Sequence, residues 1–113
     1  MTVIDLDQDV ITMVNTFTVE PANQQQLVEL IVEATESVMR HVDGFVSANI
    51  HASLDGTRVV NYAQWRSEEH FRAMHGNPKV HPHFADIRAI AVPEMHLYRL
   101  TNVEHAPARQ PLR

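Results

Sequence analysis

The segment Phe45–Trp65, FVSANIHASLDGTRVVNYAQW, carries the organising signal of the chain. Asp55-Gly56 sits between two β-branched, alternating runs, which is the pattern of a hairpin closed by a two-residue turn. Strands are expected over Phe45–Leu54 and Thr57–Trp65, with Leu54 opposite Thr57. Because side chains alternate faces, that register sorts the whole hairpin. One face holds Val46, Ala48, Ile50, Ala52, Val59, Asn61, Ala63 and Trp65, and is apolar except for Asn61. The other holds Ser47, Asn49, His51, Arg58, Tyr62 and Gln64, with Phe45 and Val60. The first face belongs against a core and the second is amphipathic, as a wet surface or a dimer contact would be.

Upstream, Asp43-Gly44 ends a helical stretch over residues 22–42, whose stripe is Leu27, Leu30, Ile31, Ala34 and Val38. Glu20-Pro21 separates it from a strand over Val10–Val19. Downstream, Ser67 reads as an N-cap followed by Glu68 and Glu69. That helix carries Phe71, Met74 and His75 and stops at Gly76-Asn77-Pro78. A short helix is expected over Pro82–Ala91 with Phe84, Ile87 and Ala91 inward, broken by Pro93, and a last strand over Met95–Leu100. The order β-α-β-β-α-β is the split pattern of a ferredoxin-like α+β fold. It puts the first and third strands in the middle of an antiparallel sheet with both helices on one face. The bare face invites a second copy, as in a dimeric α/β barrel. Residues 10–101 form the expected domain, with terminal extensions 1–9 and 102–113.

A chain of 113 residues that is 44% hydrophobic supports one small core. A net charge of −5, with Lys and Arg scattered apart from a loose set at Arg99, Arg109 and Arg113, argues against nucleic acid. The absence of cysteine excludes disulfides, thiolate metal sites and thiol catalysis. Apolar runs such as Ala89–Pro93 are too short for a membrane span, and acidic Met1–Asp9 has no signal core. These features lead to the expectation of a soluble cytoplasmic protein.

On the first strand Ile11, Met13, Phe17 and Val19 look one way, and Asn15 looks with them. Two asparagines on adjoining core faces need a reason, since an unpartnered buried polar group costs roughly 1–3 kcal/mol. One such amide often caps backbone. Two, with an indole nearby, are better explained by a pocket.

The run His51–Trp65, with Asn15-Thr16-Phe17 and Asp43-Gly44-Phe45, resembles the antibiotic biosynthesis monooxygenase family, and within it the quinone-forming anthrone monooxygenases of aromatic polyketide pathways. The resemblance implies a homodimer with one pocket per subunit and a reaction that uses no metal, flavin or other cofactor. It maps functional residues onto Asn61 and Trp65, onto Asn15, and onto Arg88 of the later helix. Phe71 stands where some members carry tyrosine, which removes a phenol from the site. Phe17, Ile50, Phe71, Met74 and Phe84 are the expected pocket walls. The partners implied are a small aromatic substrate and O2.

The chemistry suits such residues. A deprotonated anthrone can itself reduce triplet oxygen, so the substrate does what a cofactor usually does. Amide donors on Asn61 and Asn15 would steady the enolate oxygen, Trp65 would stack or donate its N–H, and Arg88 would stabilise the anion. No base stands out. Among eight histidines, His75, His81 and His83 lie close together, with His70 a turn earlier, so a metal site and haem degradation through Asn15 with His81 or His83 are rivals. A non-enzymatic binder of the same fold is a third. It would need no pair of asparagines.

Overall fold

In the computed structural model, which describes residues 1–108, strands β1 (Ile11–Val19), β2 (Phe45–Ala52), β3 (Arg58–Trp65) and β4 (Ala91–Tyr98) form one antiparallel sheet in the order β2-β3-β1-β4. Helices α1 (Gln24–Ser37), α2 (Glu68–His75) and α3 (His81–Arg88) complete the expected ferredoxin-like arrangement. The sheet is open, not closed into a barrel. Arg109 and Arg113, and with them the end of the expected C-terminal extension, lie outside the described residues.

The hairpin keeps the expected register, Ile50 opposite Asn61 and Ala48 opposite Ala63, but reaches it through a longer loop. Ser53 N donates to Arg58 O at 3.0 Å, leaving the four residues Leu54–Thr57 as the turn. Gly56 takes φ +81°, a value only glycine adopts freely. The Asp55 carboxylate accepts from the Thr57 hydroxyl (2.7 Å) and backbone N–H (3.0 Å) and from the Ser53 hydroxyl (2.8 Å). Those bonds, led by the Thr57 hydroxyl, lower its pKa to about 2.

A second correction lies at the far end of β2. Phe45 pairs with Trp65 and Ser47 with Gln64, so Val46 is the extra residue of a β-bulge and has no partner opposite it. The bulge returns Phe45 to the helix side, where its ring meets Trp65 edge-on at 5.6 Å. The expected face assignment of Phe45 is therefore reversed. The cause is that alternation counts residues and cannot see an inserted one.

Helix α1 ends earlier than its apolar stripe. The hydroxyls of Thr35 and Ser37 donate back to the carbonyls of Ile31 and Glu33, and a 3-10 turn over Met39–His41 follows. Gly44 then takes φ +87°, and a Cβ there would collide with the His70 side chain. Ser67 caps α2, its hydroxyl accepting from His70 N at 3.2 Å.

The last helix and strand also differ from expectation. Helix α3 stops at Arg88, and Ala91 opens β4, where it faces the core at 6% exposure. Pro93 does not break a helix. It pairs with Phe17 inside β4, an edge strand with no outer neighbour among the described residues, where the missing N–H costs no ladder bond.

On the helix side the core divides in two. One cluster gathers Phe17, Val19, Leu27, Ile31, Val59, Ile87 and Ala91. The other gathers Met13, Ala63, Trp65, Phe71, Met74 and Val80. On the opposite face the N-terminal segment crosses the sheet. Gln64 Nε2 donates to Val3 O at 2.7 Å, and the Thr2 hydroxyl donates to Asn49 Oδ1 at 2.7 Å. Gln64 is 2% exposed as a result, so the face expected to be bare is partly covered by the chain itself.

Candidate active site

The two core clusters are separated by two amides. Along β1 the helix-side residues run Met13, Asn15, Phe17, and along β3 they run Ala63, Asn61, Val59. Each pair lies directly across the strands, so Asn15 faces Asn61, with their Cβ atoms about 5 Å apart as in any such cross-strand pair. Met95 of β4 continues the row beyond Asn15. Both amide oxygens are buried, and no hydrogen bond from the described residues reaches them.

A cavity of about 300 Å³ opens over this row, between the sheet and all three helices. Asn15, Asn61 and Phe17 form its floor, with Phe71 and Met74 of α2 and Phe84 and Arg88 of α3 around it. All seven were singled out from the sequence. The Arg88 guanidinium lies 5.8 Å from the centre of the Phe84 ring, at the rim of the cavity on an exposed side chain.

Two expected residues are not on the wall. Trp65 is 2% exposed, packed edge-on against Phe71 at 5.9 Å, one layer behind the cavity surface. It shares a face with Asn61 but stands four residues along the strand, roughly 13 Å away, a distance that face-sharing alone does not reveal. Its indole N–H is buried without a partner among the described residues. Ile50 lies opposite Asn61 but on the far side of it from Asn15, and packs against the aliphatic cluster.

Of the methionines only Met74 was expected on the wall from the sequence. Four of the chain's five, Met13, Met39, Met74 and Met95, line the cavity. Thioethers are flexible and polarisable and adapt to aromatic guests. For Met13 the signal was present, since it falls on the inward face of the first strand, but methionine is ordinarily core filling. Thr35 and His75 were also missed as wall residues.

The histidines do not assemble. His70 turns toward Ser67 and Asp43, His81 Nε2 binds the carbonyl of His75, and of His75, His81 and His83 only His75 lines the cavity. Among the described residues no group of three or more His, Asp or Glu is arranged as metal ligands are. The haem reading needed His81 or His83 beside Asn15, and neither lines the cavity. No helix among the described residues is long and apolar enough to cross a membrane.

Comparison with known proteins agrees with this geometry. Residues 10–89 match the family described as antibiotic biosynthesis monooxygenase. The chain is 49% identical over 94 residues to the tetracenomycin-F1 monooxygenase of Streptomyces glaucescens, covering 83% of this chain and 84% of that one. A solved monooxygenase from the gene ActVA-Orf6 of Streptomyces coelicolor, in complex with nanaomycin D, is 33% identical with a TM-score of 0.77, covering 88% of this chain and 95% of that one. SnoaB, a cofactor-independent oxygenase from Streptomyces nogalater, is 28% identical with a TM-score of 0.71, covering 88% and 99%.

Proposed function

The chain belongs to the antibiotic biosynthesis monooxygenase family, and we propose that it oxidises a polycyclic, anthrone-type aromatic to the quinone with O2 and without a metal or organic cofactor. The observation that carries the reading is the facing pair Asn15 and Asn61 on the floor of an apolar cavity, with both amide oxygens buried and unpartnered among the described residues. Such a pair gives a buried hydrogen-bonding site with nothing of its own to bind. The similarity to a tetracenomycin monooxygenase and a cofactor-independent oxygenase supports the same assignment.

The overall change is the conversion of a ring CH2 and O2 to a carbonyl and water. Loss of one C–H proton gives an enolate whose ring system is electron-rich enough to pass one electron to triplet O2. The radical pair combines to a peroxide at that carbon. Loss of the second C–H proton with O–O cleavage leaves the quinone. In this scheme the amides of Asn15 and Asn61 donate to the enolate oxygen, in a site preorganised for developing charge. Arg88 at the rim adds a fixed positive charge, because arginine stays protonated. Phe17, Phe71, Phe84 and the four methionines hold the flat ring and exclude bulk water. Trp65 acts through Phe71, as the backing that sets the angle of that wall.

Residues 10–101 would be the working unit, and two copies would pair through the sheet face away from the helices. That face presents Val92 and Tyr98 at 70% and 50% exposure. Oxygen-electrode measurements with an anthrone and chelator-treated, colourless protein test the activity. Uptake of one O2 per quinone formed is expected, and uptake no faster than in buffer would defeat the reading.

A further inference from the structure

The scheme above needs a group that takes a proton from carbon, and the cavity wall offers few. Its polar side chains are Asn15, Thr35, Asn61, His75 and Arg88. Amides and a hydroxyl do not accept a proton at neutral pH, and a guanidinium has no lone pair to give. Histidine is the side chain whose charge ordinarily changes in that range. Resting on the proposed oxidation, we infer that His75 is its catalytic base.

The geometry prepares it for the role. His75 closes α2, one turn after Phe71, and its Nδ1 lies 3.3 Å from the Phe71 carbonyl oxygen. A carbonyl only accepts, so Nδ1 carries the hydrogen and Nε2 keeps its lone pair. The ring is held between two aromatic walls, edge-on to Phe71 at 4.6 Å and tilted against Phe84 at 5.6 Å. From behind, His81 Nε2 donates to the His75 carbonyl at 2.7 Å, which ties the end of α2 to the start of α3. Among the described residues that line the cavity with it, Arg88 on α3 carries charge, and His81 reaches it through the main chain. Among the described residues no carboxylate lines the cavity to lock the imidazole in an ion pair. His75 is an exposed residue, at the mouth rather than the floor, so a proton it takes can pass to water.

The steps balance on this residue. Nε2 removes one C–H proton and leaves the enolate, which adds O2 to become a peroxide anion. The imidazolium returns its proton to that anion, giving the hydroperoxide. The freed Nε2 then takes the second C–H proton as the O–O bond breaks. The departing hydroxide collects that proton and leaves as water, the carbonyl remains, and the base is restored. The only oxidant is O2, reduced by the four electrons lost from the C–H bonds and carried away in carbonyl and water.

The test compares wild type, His75→Gln and His75→Ala. Glutamine can still donate to the Phe71 carbonyl but cannot act as a base. His75→Gln is expected to lose 10²- to 10⁴-fold in kcat, the usual weight of a positioned acid–base group, while binding the quinone product within a few-fold of wild type. Added imidazole should restore part of the rate to His75→Ala. On an anthrone brought above its own ionisation pH, where no base is needed, His75→Gln should match wild type. Wild-type turnover with an equally fast His75→Gln would overturn the role of His75 and leave the oxidation standing. Loss of rate with equal loss of quinone binding and no rescue by imidazole would make the residue structural and overturn the proposal. Absence of wild-type uptake would remove both the oxidation and its base.

Discussion

The two ends of the core are built from different material. The cluster around Leu27, Ile31, Val59 and Ile87 is almost wholly aliphatic and is tightly closed at Leu27 and Val59, both at 0% exposure, while Ile31 and Ile87 reach the cavity edge. The cluster around Trp65, Phe71 and Met74 is aromatic and thioether-rich, and the cavity opens along its border with the first. Interlocking aliphatic chains leave no usable space. Rings and methionines, with fewer branched contacts and soft sulfur, leave a slot that a flat guest can fill. The amide pair lies on the seam. One end of the fold therefore supplies stability and the other supplies a site, and substitutions on either side of Asn15 and Asn61 should fail in different ways.

The largest effect is expected at the seam itself. Asn61→Ala should lower kcat by about 10²–10³, as loss of one donor to a developing oxyanion does elsewhere. It should leave the thermal midpoint unchanged or raised, because it removes a buried acceptor that has no partner. Steady-state oxygen uptake beside a melting curve reads both. On the aliphatic side the pattern should invert. Leu27→Ala should cost about 2–5 kcal/mol in urea unfolding, with the kcat of the folded fraction nearly intact. If Leu27→Ala instead abolished turnover while remaining folded, the division of labour would be wrong. Trp65→Phe tests the layer behind the wall. It should cost roughly 1–3 kcal/mol of stability and raise KM more than it lowers kcat, since Trp65 touches Phe71 and not the cavity.

The smallest effect lies far from the seam, in the hairpin loop. Asp55 has its pKa lowered from 3.8 to about 2 by its Thr57 and Ser53 hydrogen bonds. A carboxyl with a depressed folded-state pKa stabilises the fold above its unfolded value. That contribution is lost as pH falls through the folded one, so the loss spans about pH 4 to pH 2. Because the group is fully exposed, the change is small. Asp55→Asn should flatten acid unfolding in that window and leave turnover alone.

Much of this division was legible beforehand, and particular residues show why the rest was not. Asn15 and Asn61 stood out because each is the odd polar residue on an apolar alternating face, and alternation survives into the sheet. Phe71, Met74 and Phe84 followed from helical spacing. The bulge at Val46 was invisible because nothing in a valine announces an extra residue. Pro93 misled because proline ends helices and central strands alike, and only the strand order shows β4 to be an edge. Trp65 was placed on the correct face but at the wrong depth, since sharing a face says nothing of distance along the strand. His75 was hidden among neighbours, and only the joining of α2 to α3 separates it from His81 and His83.

The central claim is that the amide pair stabilises negative charge on a bound aromatic oxygen. The most direct measurement is the ionisation of a hydroxyanthraquinone followed by absorbance, free, bound to wild type, and bound to the Asn15→Ala/Asn61→Ala protein. The account predicts that wild type shifts the bound phenol's ionisation to lower pH and that the double variant, still binding the ligand, loses most of that shift. The same ionisation in both proteins would contradict it.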